Sequence, residues 1–177
     1  MAGRDHPVQP AALHPSLTAL AGLVGTWVGE GQGSYPTVAA FAYTEQVTIS
    51  HVGKPFLAYA QRTWSIDDGR PLHAETGYWR CAPDGTVELV VAHPTGHAEL
   101  AVGVLAAGGG GPGAIDIDFR SASLACSPSA KEVTEVRRRY MVGGDHLRYE
   151  LEMAAVNQPL APHLRGELVR TTGERRA

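Results

Sequence analysis

The residues of this chain best equipped for chemistry near neutral pH are its eight histidines, and their settings differ. His163 stands in "QPLAPHLRGEL", behind Pro159 and Pro162, which stiffen the segment and hold a ring in place. A neutral imidazole there offers one nitrogen to a metal while the other donates to a carbonyl or a water. The commoner role for a histidine so placed is a hydrogen-bonded structural one. His93 and His97 straddle the turn "PTG" and form a candidate pair for a small metal ion, with neither a third ligand nor a cysteine pair beside them in the sequence. His51 and His73 read as strand or pocket histidines. No G-x-S-x-G occurs, and no spacing of Ser, His and Asp singles out a triad. Asp116 and Asp118 alternate with Ile115 and Ile117 in "AIDIDF", which reads as the outward face of a strand rather than an acid–base pair.

A second unusual stretch is "GTWVGEGQGSYPT", residues 25–37. As a strand it places Gly25, Trp27, Gly29, Gly31, Gly33 and Tyr35 on one face and polar residues on the other. Glycines in a strand interior weaken it, so the pattern asks for a reason. One is the sharp bend that a barrel corner needs. Another is a wall thinned for a broad, flat ligand.

The elements that must position these residues are short. From Trp27 to Arg170 the chain alternates apolar and polar residues in segments broken by turn signals. The segments are 25–33, 38–50, 56–66, 72–82, 85–93, 95–105, 113–126, 131–142, 145–155 and 162–172. Tight turns such as "DDGRP", "PDG", "PTG" and "GGD" make neighbours antiparallel, and closing the sheet removes its edges. The expected fold is all-β, a ten-stranded up-and-down antiparallel barrel of the lipocalin or fatty-acid-binding-protein kind, with a sandwich as competitor. Before it, Ser16 is placed to cap a short N-terminal helix carrying Leu17, Leu20 and Leu23. Residues 1–13 read as a loose arm, 14–172 as one barrel domain and 173–177 as a tail. The run Gly108–Gly113 reads as a loop tip and not as a phosphate cradle, since it lacks a Lys-Ser/Thr ending and opens no helix.

Composition narrows the class. The 177 residues are 44% hydrophobic and 19% charged, and the net charge is −3, which leaves no electrostatic footprint for nucleic acid. No apolar run approaches the ~20 residues of a bilayer span, and the N-terminus shows no signal-peptide core, so a cytoplasmic protein without a membrane partner is expected. Cys81 and Cys126 fit free buried thiols in a reducing cytoplasm, with one bridge left open.

The combination of motifs then becomes specific. "GTWVGEGQGSYPT" resembles the G-x-W-x-G-x-G signature of the nitrobindins, haem-binding β-barrels also described as peroxynitrite isomerases. "QPLAPHL" resembles the family's late segment carrying the proximal haem ligand, and "ISHVGKPFLAY", "AETGYWR", "AHPTGHAEL" and "SAKEVTEVRRRY" follow the family order. The resemblance implies one haem b per chain with His163 as the axial iron ligand and catalytic centre. It matches Gly25, Trp27, Gly29 and Gly31 to the signature and Thr37 to a position touching the haem. Lys131 aligns with a basic residue near the haem. It implies isomerisation of peroxynitrite to nitrate at ferric iron, nitric oxide binding, and an apolar ligand side. A nitric oxide carrier without turnover, a haem-free barrel for an apolar ligand, and a homodimer remain open alternatives. Porphyrin contacts are sought among Phe56, Leu57, Tyr59, Leu89, Val91 and Met153, each of which also reads as core. Propionate donors are sought among Lys131, Arg137 and Arg139.

Overall fold

Ten antiparallel strands close on themselves in the computed structural model, which describes residues 11–106 and 113–171. They are β1 (Gly25–Tyr35), β2 (Val38–Ser50), β3 (Leu57–Ser65), β4 (Pro71–Cys81), β5 (Thr86–His93), β6 (His97–Leu105), β7 (Ile115–Cys126), β8 (Val133–Gly143), β9 (His146–Ala155) and β10 (Ala161–Arg170). Each pairs with its sequence neighbours, and β1 closes the ring on β10. The alternation expected from the sequence is the burial pattern observed: on β5, Val87, Leu89 and Val91 face the core, and on β8, Val136, Arg138, Tyr140 and Val142 do. Among the described residues, closure leaves no edge strand to be protected from pairing with another chain. Residues 107–112, which hold most of the Gly108–Gly113 run, lie outside the described residues, as do 1–10 of the N-terminal arm and the 173–177 tail.

One end of the barrel is capped by a 3₁₀ helix, Pro15–Leu23. Leu17, Leu20 and Leu23 recur every third residue, which puts them on one side of a three-residue turn, and all three are fully buried. The cap differs from the sequence expectation. His14, not Ser16, occupies the N-cap, and its side chain accepts from the Ser16 amide at 3.3 Å. An imidazole nitrogen fills the role of the hydroxyl oxygen.

Trp27 joins this cap. Its ring is fully buried, its Nε1 donates to the Leu23 carbonyl at 2.9 Å, and the Arg170 guanidinium stacks on it at 4.1 Å. Arg170 also donates to the carbonyls of Gly22, at 2.8 Å, and of Val24. Gly25 links helix to strand at φ 146°, a conformation that disfavours any side chain, and Arg170 fills the space a Cβ would need. The first half of the glycine-rich motif is therefore a joint between helix and barrel. Cys81 ends β4 at this capped end and Cys126 ends β7 at the opposite one, so both remain free thiols, but neither is buried as expected: at the strand ends Cys81 is half-buried and Cys126 exposed.

Candidate functional site

The connections Pro36–Thr37, Ile66–Arg70, Pro94–Gly96, Ser127–Glu132 and Val156–Leu160 lie at the end opposite the helix. His163, near the start of β10, lies at this end too. The β9–β10 register shifts between Pro162 and Leu164, leaving His163 as the unpaired residue of a bulge. Bulges re-aim side chains, and this one has a partner: the β1–β2 register shifts between Gly33 and Tyr35, at Ser34. The β1–β10 ladder runs as far as Gly33 and Leu164. Where its next rung would set Ser34 against His163, the ring Nδ1 lies 3.0 Å from the Ser34 carbonyl oxygen. A carbonyl only accepts, so Nδ1 carries a proton, and in the neutral ring Nε2 is then the nitrogen with the free lone pair. The Tyr35 ring meets the imidazole edge-on, with centroids 5.4 Å apart. Tyr35 is itself fixed, donating to the Met153 carbonyl at 3.1 Å and accepting from the Ala155 amide at 2.9 Å.

His163 lines an open cavity of about 1070 Å³ whose wall includes Gly33, Phe41, Leu151 and Leu164. Consecutive residues also contribute on β8 and β9, Arg137–Arg139 and Glu150–Glu152, so polar outward side chains form much of it. The volume lies at the upper end for small-ligand sites. An imidazole with its tautomer set by a carbonyl, half-buried beside such space, suits a haem iron, which takes neutral histidine as its axial ligand.

The glycine stripe needs a correction. Gly31 and Gly33 face inward and are buried, as expected, but the vacated room is already filled. A Cβ on Gly31 would collide with the Tyr43 ring, and one on Gly33 with the Phe41 ring and Leu164. Gly29 presses against the β10 backbone at Glu167 and Leu168. The missing side chains admit neighbouring aromatic rings and a close strand approach, not bare wall. Gly25 and Trp27 belong to the capped end, away from His163. Thr37, in the turn after Tyr35, and Lys131, just before β8, are exposed at the His163 end. The Lys131 carbonyl accepts from His97 Nε2 at 2.7 Å.

The expected apolar contacts also divide. Leu57, Tyr59, Leu89 and Val91 belong to the core cluster shared with Trp27 and the helix, and Phe56 packs edge-on against Tyr78. Met153 alone of the six pairs across the ladder beside His163, opposite Ala161. Arg137 and Arg139 are tied on the outer face, to Glu135 at 2.8 Å and to Asp116 at 2.8 Å. The Asp116 and Asp118 face is outward, as expected.

The sequence reading missed the charged interior. Arg138, 6% exposed, donates from Nη1 to Glu75 Oε1 at 3.0 Å and from Nη2 to Glu99 Oε2 at 2.9 Å. Burial opposes charge on both carboxyls, but Arg138 and the nearby histidines outweigh it and hold both below the ordinary carboxylate range. Tyr59 donates to Glu75 Oε1 at 2.6 Å. A second cluster joins Glu45, which accepts from Gln61 and from the Tyr149 hydroxyl at 2.7 Å, and Tyr149 meets the Tyr43 hydroxyl at 2.6 Å. The available signal was phase: Glu45 alternates with Val47 and Ile49, Glu75 with Trp79, Glu99 with Ala101, and Arg138 with Tyr140.

Residues 16–170 match the model of the THAP4-like, haem-binding β-barrel domain. The chain belongs to that family. Within it, the chain is 53% identical over 161 residues to "Peroxynitrite isomerase 1" of Mycolicibacterium paratuberculosis, covering 91% of this chain and 98% of that one. It is 47% identical to "Peroxynitrite isomerase 1" of Mycobacterium tuberculosis, covering 89% and 96%. The crystal structure of Rv2717c from M. tuberculosis superposes with a TM-score of 0.85 at 46% identity, covering 90% of this chain and 99% of that one. Haem is the cofactor of this haem-binding barrel family, in agreement with the resemblance carried by the glycine-rich and His163 segments.

Proposed function

We propose that this chain holds one haem b through Nε2 of His163 and isomerises peroxynitrite to nitrate, with nitric oxide as a second small ligand. The observation that carries this reading is the 3.0 Å contact from His163 Nδ1 to the Ser34 carbonyl. It commits one nitrogen and leaves the other as a donor for iron. Bound haem supplies a ferric centre with a coordination position left for the small anion. The protein's own part is positional. The paired bulges at Ser34 and His163 aim the ring, Tyr35 stops it from turning, and the barrel behind both keeps them in place. Thr37 and Lys131 form the rim of the same end, where Lys131 gives a carboxylate-bearing cofactor a cationic partner. The sequence similarity to proteins named peroxynitrite isomerase supports the choice of reaction.

Hemin titration of the purified chain tests the site, and stopped-flow decay of peroxynitrite tests the activity. The wild type is expected to give a saturable Soret band at one hemin per chain and to accelerate decay with nitrate as product. His163→Ala is expected to lose both. A Soret band unchanged by His163→Ala overturns the ligand assignment. A normal haem complex that binds nitric oxide but leaves peroxynitrite decay at its spontaneous rate makes the protein a carrier.

A further inference from the structure

Across the barrel from His163 lies a second set of metal-ligand chemistry. In ring order β5 is five strands from β10 in either direction, so His93, at the end of β5, stands opposite His163 at the same end of the barrel. Beside it on β4 are His73 and Glu75. The sequence offered His93 only His97 as a partner, and the fold does set the two rings edge-on with centroids 6.5 Å apart, but it also brings His73 and Glu75 to the other side of the pairing. One ligand atom from each of His73, Glu75 and His93 lies within 4.8 Å of the other two.

We infer that His73, Glu75 and His93 form a binding site for a divalent transition-metal ion, zinc by ligand type, separate from His163. Two imidazoles and one carboxylate are a donor set that zinc takes in open sites. A tetrahedral ion bonded at ~2.0–2.1 Å sets its ligand atoms about 3.3 Å apart. Glu75 Oε2 lies 3.2 Å from His93 Nδ1 and 3.7 Å from His73 Nε2, close to that edge length.

The surroundings are organised as a metal site requires. Glu75 Oε1 is held by Tyr59 at 2.6 Å and by Arg138 at 3.0 Å, while Oε2 faces the histidines. Arg138 Nη2 reaches Oε2 only at 3.4 Å. The other nitrogen of His93, Nε2, lies 3.7 Å from Glu99 Oε2. A carboxylate behind a ligating histidine fixes its orientation and raises its basicity. Glu99 is fully buried by side chain, and its Oε1 has no hydrogen-bond partner among the described residues. With both histidines neutral, as ligands must be, two carboxylates against one guanidinium leave the cluster a net negative charge for a cation to offset. The His73 side chain is 33% exposed and gives the ion access from solvent.

The test titrates the full chain, haem-free and hemin-loaded, with Zn²⁺ by calorimetry and with Co²⁺ by visible absorption. One ion per chain is expected, with a tetrahedral cobalt spectrum. His73→Asn and His93→Gln should each weaken binding at least tenfold, and Glu99→Gln roughly 10- to 100-fold. His163→Ala should leave it unchanged. Wild-type NMR should show the His73 and His93 ring nitrogens shifting with Zn²⁺ while those of His163 stay put, which covers any variant that does not fold. Absence of one-to-one binding overturns the site. So does binding that survives loss of both histidines, or that disappears with His163→Ala.

Discussion

Glu45 is the most exacting test of the buried interior. Its side chain points from β2 into the barrel and is 2% exposed. Burial pushes its carboxyl up from an ordinary 4.5 to about 7, against the lowering effect of the hydrogen bonds from Gln61 and Tyr149, and the charge on Glu75 adds to the rise. The interval from 4.5 to about 7 corresponds to about 3 kcal/mol at about 1.4 kcal/mol per pH unit. The sign follows from which form the fold prefers. The folded state favours the protonated acid, so this contribution is whole below pH 4.5 and is lost as pH rises to about 7. Above that, a bare carboxylate sits in the barrel wall. Glu45→Gln keeps a neutral group of the same shape, with its oxygen able to accept from Tyr149 and its amide to donate to a turned Gln61. Urea unfolding of wild type and variant should give nearly equal stabilities near pH 4.5, diverging until the variant is more stable by about 3 kcal/mol at pH 8. A stability difference constant from pH 4.5 to 8, or one favouring the wild type more as pH rises, refutes the reasoning.

Arg138→Met should destabilise by about 3–5 kcal/mol at pH 7, because Glu75 and Glu99 are left buried without their cation. Glu75 and Glu99 are held low in the wild type, so the stability they contribute exists above their ordinary 4.5 and is lost as pH falls through the lowered values. The Arg138→Met deficit should therefore shrink in urea melts at acid pH. Gly31→Ala should cost ~1–3 kcal/mol, read as a fall in Tm, since its methyl would overlap the Tyr43 ring. Val156 and Asn157 carry positive φ of 48° and 62° in the turn that feeds β10. A β-branched residue is strained there, so Val156→Asn should raise stability by about 1 kcal/mol in thermal unfolding.

The barrel was legible because strand alternation and turn residues are local signals. The expected segments 38–50 and 145–155 lie within one residue of β2 and β9. His163 was singled out as a candidate by the late motif. Its partner was not: the Ser34 carbonyl belongs to the backbone, and no side-chain pattern announces it. The glycine stripe was read with the right face and the wrong occupant. Sequence shows that a side chain is missing but not which neighbouring ring has moved in, and Tyr43 and Phe41 reach Gly31 and Gly33 only through the β1–β2 register. Long-range pairing likewise hid the cluster around Arg138, whose carboxylates come from β4 and β6.

These placements divide labour along the barrel axis. At the capped end, Leu17, Leu20, Leu23 and Trp27 are fully buried, and Arg170, stacked on Trp27, spends its donors on carbonyls and an aspartate. That end contributes stability through apolar burial and closes the barrel. The other end carries what apolar packing cannot supply: an imidazole aimed by two bulges, a positive-φ turn beside it, and histidines joined to buried carboxylates. The positive-φ turn is conformationally costly, and a closed ten-stranded ladder with a packed far end is what lets it persist beside the bulges and the charged cluster. It follows that substitutions at Trp27 should act on reactivity only through unfolding, whereas substitutions at His163 should alter ligand chemistry in a barrel that remains folded.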